Sequence, residues 1–328
     1  TESRLTAGDS ATLSRATAAE VYSQIEADLQ AAIAALPAAK STDGRATSFT
    51  AHALLGKVYL YQDKFSEAAS ILEPLVGLYS LVPDLQNVFL TSGENGPESV
   101  FEVQHSKNSN WWDWGFPQGS EGSFGIIHHG PRGYNGGVYS SGWSFNVPTQ
   151  DLYDAYSDGD SRRDVAILDI VAWAAATGAE YSEGYEHTGY FNHKYIPRAG
   201  STASQGELNY ENNFRAIRYS DVLLMAAEAN NRKTGADDAK AQNYLNQVRA
   251  RAFGNASQAS TSTGATLTQE IWDERRLEFA MEGHRFFDLV RTGEAAAKIS
   301  GFVSGKHEVF PIPQTEIDIS GLTQNPGY

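Results

Sequence analysis

From His52 to Leu75 the chain reads HALLGKVYLYQDKFSEAASILEPL, and no other stretch constrains the fold as tightly. Leu55-Gly56-x-x-Tyr59 sets a glycine beside large apolar residues on one helical face. Ala68-x-x-x-Leu72 sets a small and then a large residue one turn apart on a second helix. Small residues at those places let two helices approach closely. A single helical pair cannot bury its own faces, so it must stack on neighbours. The chain is therefore expected to be mainly α, built from stacked helical pairs.

The spacing matches a tetratricopeptide repeat, with His52 where that repeat usually carries tryptophan. Further helices flank it. Thr17 with Glu20 three residues on is a capping box, and Val21, Ile25, Leu29, Ile33 and Leu36 follow on one face until Pro37. Helical periodicity returns at Arg215. RYSDVLLMAAEANNRKTG reads as a helix stopped near Gly235. DDAKAQNYLNQVRARAFG aligns Ala241, Leu245, Val248 and Ala252 and stops at Gly254. Thr266 with Gln269 is expected to cap one helix through LTQEIWDERRLEFAMEGHRFFDLVRTG, and an extended tail ends in QNPGY.

Between these helices the pattern changes. SVFEVQHS alternates and reads as a strand. Residues 106 to 210 are rich in Gly, Tyr, Trp, Asn and Ser, and ordered loops of such length are usually functional. The division expected is a helical, repeat-like part over 17–80, a loop-rich ligand-binding insertion over 81–214, and C-terminal helices and tail over 215–328.

Composition removes several functions. A net charge of −15 with no basic cluster beyond Arg162-Arg163 makes nucleic acid a poor partner. The absence of cysteine excludes disulfides, thiolate zinc sites and cysteine nucleophiles. No apolar run is long enough to span a bilayer. TESRLTAGDS lacks the basic and apolar regions of a signal peptide, which fits either a cytosolic protein or a mature or truncated chain.

NSNWWDWGF, residues 108–116, places Trp111, Trp112 and Trp114 in one loop, half of the six tryptophans in the chain. Sugars present flat C–H faces that aromatic rings cover, and a tryptophan face buries much apolar area without demanding a charge. Exposed aromatics at this density mark a binding site; the alternative is core packing beneath a long loop. Asn110 and Asp113 are placed to meet hydroxyls. GPRGYNGG adds Arg132, Tyr134 and Asn135, and VYSSGWSF adds Tyr139 and Trp143. A few polar groups among aromatic platforms is the general composition of a small-ligand cleft. Ordinary loop packing is the competing reading for Tyr134 and Tyr139.

Other chemistry is weaker. The histidines His105, His128, His129, His187 and His193 lack metal-binding spacing on any helix, so a structural or solvated role is expected. Glu274, Glu278 and Glu282 lie four apart with Arg275, Arg276 and Arg285 between them, which predicts ion pairs on one helix face. Glycoside hydrolysis needs two carboxyls on opposite sides of one bond. Asp154, Asp158, Asp160 and Asp164 around Gly159 are the candidates for a structural calcium, although the twelve-residue loop pattern is missing. No other cofactor is expected.

Five C-terminal blocks, RYSDVLLMAAEA, LNQVRARA, DERRLEFAMEGHRFFDLVRTG, FPIPQTEI and QNPGY, resemble the SusD/RagB family of outer-membrane nutrient-binding lipoproteins in order and spacing. TAAEVYSQIEADLQAAIAALP and the repeat after it are similar to the family's middle helices, so the resemblance covers essentially the whole chain as a single SusD-like domain. It implies tetratricopeptide-like helices carrying an irregular ligand face. It implies no catalysis, a glycan cargo, a cell-surface location on the outer membrane, and a SusC-like TonB-dependent transporter as partner. The family's acylated N-terminal cysteine, its lipid anchor, and its first helical segment have no counterpart here. The chain is thus expected to lack the family's N-terminal part. A neutral glucan, such as a β-glucan, is the expected ligand. The alternatives are a helical polysaccharide hydrolase or lyase, and a repeat scaffold that binds peptides.

Overall fold

The computed structural model describes residue 6 and residues 14–108, 121–202 and 208–328. Trp111, Trp112, Trp114, Asn110 and Asp113 lie outside the described residues. The chain divides into two compact units, one of residues 1–28 with 284–328 and one of residues 29–283.

Helix α1 (Ala18–Ala35) opens as the capping box predicts. The Glu20 amide donates to Thr17 Oγ1 at 3.3 Å, and the Thr17 amide donates to Glu20 Oε2 at 2.8 Å. Its apolar stripe is incompletely covered: Leu29 and Ile33 pack on the core of the larger unit, while Val21 is exposed.

In the larger unit, α2 (Ser48–Leu60) and α3 (Phe65–Leu72) form the expected helical pair. Thr47 caps α2 reciprocally with Thr50. Leu55, Gly56 and Tyr59 meet Ala68 and Leu72 across it, all buried. A short helix, α4 (Leu85–Val88), leads to β1 (Ser99–Val103), the predicted strand. The insertion then carries β2 (Arg132–Asn135), α5 (Gln150–Asp154), α6 (Arg162–Ala166), β3 (Ile167–Asp169), α7 (Ile170–Thr177), β4 (Glu180–Ser182) and β5 (Tyr190–Asn192). Strand β6 (Phe214–Arg218) precedes α8 (Tyr219–Arg232), α9 (Asp238–Phe253) and α10 (Gly264–Glu278). The strands pair antiparallel as β1 with β6, β2 with β4, and β3 with β5.

Helix α8 is buried on every side through Asn231, wrapped by α3, α9 and α10. A helix so enclosed needs its polar residues satisfied. Arg275 Nη1 reaches Asp221 at 2.7 Å, Arg232 reaches Glu228 at 3.0 Å, and Asn231 Nδ2 donates to Asp238 at 2.7 Å. Gly254, left-handed at φ 69°, ends α9 where the sequence predicts.

The C-terminal expectations need two corrections. Helix α10 starts after Thr263, not at a Thr266 cap, and it ends at Glu278. The residues predicted to continue it instead make a turn in which Met281 has φ 65° and Gly283 φ 85°. In the smaller unit a new helix, α11 (Arg285–Arg291), starts after His284, followed by α12 (Ala295–Lys298) and α13 (Gln314–Ser320). Helical periodicity resumes on both sides of the turn, so the spacing alone does not show it.

Gly56 is the tightest point of the α2–α3 pair: a Cβ there would run into the Leu72 side chain. Overpacking of this kind costs about 1–3 kcal/mol. Gly56→Ala is expected to lower the free energy of urea unfolding by that amount, and to cost less in a Leu72→Ala background; an undiminished cost there would place the clash elsewhere.

Candidate functional site

Residues 142–145 run beside residues 127–132 and are locked there by backbone hydrogen bonds. The amides of Gly142, Trp143, Ser144 and Phe145 donate to the carbonyls of Pro131, Ile127, Gly130 and His128 at 2.8–2.9 Å. The approach requires glycine at Gly130 and Gly142, since a Cβ on Gly142 would strike the Gly130 backbone. Arg132 closes the segment with its amide on Ser144 Oγ at 2.9 Å and its guanidinium on the Trp143 carbonyl at 3.0 Å.

This scaffold carries a set of rings. Trp143 lies 5.0 Å from His128, 5.9 Å from Phe124 and 6.2 Å from Phe145, centroid to centroid, edge-to-face in each case. Trp143 and Phe124 are half-buried against a small apolar cluster with Ile126, Ile127 and Tyr195, whereas Phe145 is 52% exposed. Of the candidate residues named from sequence, Trp143 and Arg132 are thus brought together. Asn135 is exposed at the end of β2.

Tyr134 and Tyr139 take the packing role. They are 8% and 6% exposed, in a core with Leu168, Ile170, Phe191 and Ile196. Trp173 Nε1 donates to Tyr134 Oη at 3.0 Å, and Tyr139 Oη is 2.9 Å from His193 Nε2. These partners lie 39 and 54 residues away in the chain, which is why neighbourhood in sequence places both tyrosines with the ligand face.

A cavity of about 220 Å³ opens next to this segment, lined among others by His129, Asn146, Tyr195, Phe214, Met281 and Glu282. Sequence reading misses it because its walls come from three distant parts of the chain. Burial, and then the neighbouring His128, pull the His129 imidazole down to about 4.

Behind the cavity lies a buried ionic network. Arg218 Nη1 meets Glu98 at 2.5 Å and Glu278 at 2.9 Å, and its Nη2 meets Glu282 at 2.8 Å. Lys194 adds a 2.6 Å bond to Glu282, Arg251 a 2.5 Å bond to Glu278, and Arg162 a 2.5 Å bond to Glu274. Glu274, Glu278 and Glu282 are thus ion-paired as expected, but with cations from distant parts of the chain and not along one helix face: Arg275 and Arg276 turn instead to Asp221 and Asp151, and Glu282 lies in the turn. Burial pushes the Glu278 carboxyl up, but Arg251, Arg218, Arg162 and Lys194 outweigh it and hold it far below the usual carboxylate range.

The calcium candidates do not converge. Asp160 is taken by Arg162 at 2.7 Å, Asp164 pairs with Arg163, and Asp154 accepts from Gln150. Among the described residues no group of three His, Asp or Glu side chains is arranged to hold a metal.

Comparison with known proteins yields one family. A model described as the SusD family matches residues 168–309, and one described as starch-binding associating with outer membrane matches residues 2–60. SusD-like protein P2 of Formosa agariphila is 28% identical over 94% of this chain, which spans 65% of that relative's length. A solved laminarin binding SusD-like protein is 41% identical, with a TM-score of 0.85 over 95% of this chain and 70% of its own. Surface glycan-binding protein A from Bacteroides thetaiotaomicron, solved in complex with laminarihexaose, is 31% identical, with a TM-score of 0.83 over 94% of this chain and 71% of its own.

Two outcomes check the electrostatics. Removing one member of a buried ionic cluster costs about 3–5 kcal/mol, because the remaining charges stay buried. Arg218→Met is expected to lose that much in a denaturant titration; a loss below about 1 kcal/mol would refute the network's role. The second concerns pH. His129 binds its proton in the unfolded chain near 6.5 but in the folded chain only near 4. Its contribution is therefore complete above pH 6.5 and erodes as pH falls toward 4. His129→Gln is expected to flatten the fall of unfolding free energy between pH 6.5 and 4 by about 1–3 kcal/mol.

Proposed function

The chain belongs to the SusD family, and on that premise we propose that it binds a glycan at the cell surface without cleaving it and passes it to a TonB-dependent transporter of the outer membrane. The observation that carries this reading is its similarity, across nearly its whole length, to solved proteins named for laminarin binding or holding laminarihexaose. Both names denote neutral, β-linked glucose chains, and a neutral β-glucan is the ligand proposed here.

The geometry supports capture over cleavage. The carboxylates that sequence alone offers to a hydrolase are consumed in buried ion pairs with Arg218, Arg162, Arg251 and Lys194. Rings remain where a neutral sugar would be held: Trp143 beside Arg132 on a hydrogen-bonded scaffold. Trp111, Trp112 and Trp114, with Asn110 and Asp113, are the further ligand contacts proposed from the sequence, Asn135 adds an exposed amide, and Tyr134 and Tyr139 pack in the core with Leu168 and Phe191. Stacking of apolar ring faces is indifferent to the acidic total charge of the chain.

Affinity gels with neutral and acidic polysaccharides test the reading. A neutral β-glucan is expected to retard the protein, and the Trp111→Ala/Trp112→Ala/Trp114→Ala variant to migrate freely. No new reducing ends are expected on prolonged incubation. Free migration of the parent protein through every glycan would sink the proposal; so would cleavage of the retained one.

A further inference from the structure

Asparagine followed by glycine is a chemically labile step. The glycine nitrogen can attack the asparagine side-chain carbonyl, because no Cβ shields it and the glycine backbone turns freely. The chain contains two such steps, Asn95-Gly96 and Asn135-Gly136. The fold treats them in opposite ways.

Asn95 is locked. Its side-chain amide exchanges two hydrogen bonds with Gln104, Nδ2 donating at 2.9 Å and Oδ1 accepting at 3.0 Å. Its backbone amide donates to Glu102 Oε1 at 3.0 Å, and the Gly96 amide donates to the Gly93 carbonyl at 3.3 Å. The attacking nitrogen and the carbonyl it must reach are thus both held by other partners.

Asn135 is the last residue of β2 and is exposed, and among the described residues its side-chain amide meets no hydrogen-bond partner. Gly136 and Gly137 follow outside the strand, and Gly137 is left-handed at φ 79°. Packing nevertheless requires glycine at 136. A Cβ there would stand 2.4 Å from Tyr134 Oη and 2.6 Å from Ala179 Cβ, both in the core that holds Phe191. The close approach that seats Tyr134 therefore compels the reactive partner of Asn135.

We infer that Asn135 is a site of spontaneous modification, converted to aspartyl and isoaspartyl forms through a cyclic imide with Gly136, while the fold protects Asn95. The Gly136 nitrogen bonds to Asn135 Cγ, the Cγ–Nδ2 bond breaks, and the Gly136 amide proton leaves with Nδ2 as ammonia. Water then opens the ring. Opening at Cγ leaves an ordinary peptide bond and a side-chain carboxylate. Opening at the backbone carbonyl routes the chain through Cγ and lengthens it by one methylene. The balance is one water taken up and one ammonia released. Either product sets a new negative charge opposite Glu180, the ladder partner of Asn135, and like charges so placed oppose pairing. The reaction needs no ligand and no enzyme, so it stands apart from the glycan reading.

Peptide mapping by mass spectrometry, after incubation in mildly alkaline buffer with and without urea, tests this. In urea both asparagines are expected to convert. In the folded protein Asn135 is expected to convert still, whereas Asn95 slows at least about tenfold because it must wait for local opening. Asn135→Gln lengthens the arm and disfavours the ring; it is expected to abolish conversion at 135 and to leave the thermal transition unchanged. An isoaspartyl fraction marks the imide route, since direct hydrolysis yields aspartate alone. Conversion of Asn135 in urea but not in the folded protein overturns the assignment. Equal conversion of both asparagines in the folded protein overturns the protection of Asn95, and a product free of isoaspartate overturns the imide.

Discussion

Everything in the larger unit is arranged around a cation that cannot be left alone. Arg218 is fully buried, and an unpaired guanidinium in such a place would be prohibitive. It is satisfied by Glu98, which precedes β1, by Glu278, which ends α10, and by Glu282 in the following turn. Phe89 and Phe279 place their rings 5.5 and 4.9 Å from it. One side chain thus dictates where a strand begins, where a helix ends and how the chain turns afterwards. Removal of water makes each pair strong, but only if all are formed together. Such a network favours a unique geometry more than it adds net stability.

That geometry reaches the proposed ligand side. The turn carrying Glu282 also presents Met281 to the cavity, and β6, which ends in Arg218, begins with Phe214 on the same wall. Tyr195, next to Lys194 of the network, donates a third wall and packs edge-to-face on Phe89 at 5.5 Å. On the outer side, residues 142–145 are pinned by four backbone bonds before any ligand arrives. A ring held in place in advance loses little freedom on binding, so more of its contact energy appears as affinity.

Local signals in the sequence translated well, since they depend on neighbours within one turn. Thr17 and Glu20 cap α1, Gly56 admits Leu72, Gly254 ends α9, and β1 forms where read, although its burial does not alternate: Glu102 is buried and Val103 exposed. Long-range effects did not. EFAMEGHRFF keeps helical spacing, yet the pull of Arg218 and Lys194 on Glu282 accompanies a turn with Met281 at positive φ. Aromatic composition marked the insertion as the ligand face, but it cannot distinguish a tyrosine that meets Trp173 or His193 in the core from a phenylalanine thrust outward. Tyr134 and Tyr139 were named from sequence and lie inside; Phe145 and Tyr185 were not named and lie outside. The left-handed residues that flank Phe145 are serine and asparagine, which spacing does not reveal.

The same partition bears on charge. Arg162, Arg218, Arg275 and Lys194 are buried against carboxylates. Pairs within the core largely cancel, so the net charge of −15 is felt at the surface. A polyanionic glycan would approach against that field, whereas a neutral chain meets no such barrier. Ring faces suit the neutral case, because their attraction comes from apolar area and is scarcely screened by salt. The buried arginines hold shape, and the proposed recognition falls to aromatic carbon, a division that ties the ion-paired interior to the preference proposed for the surface.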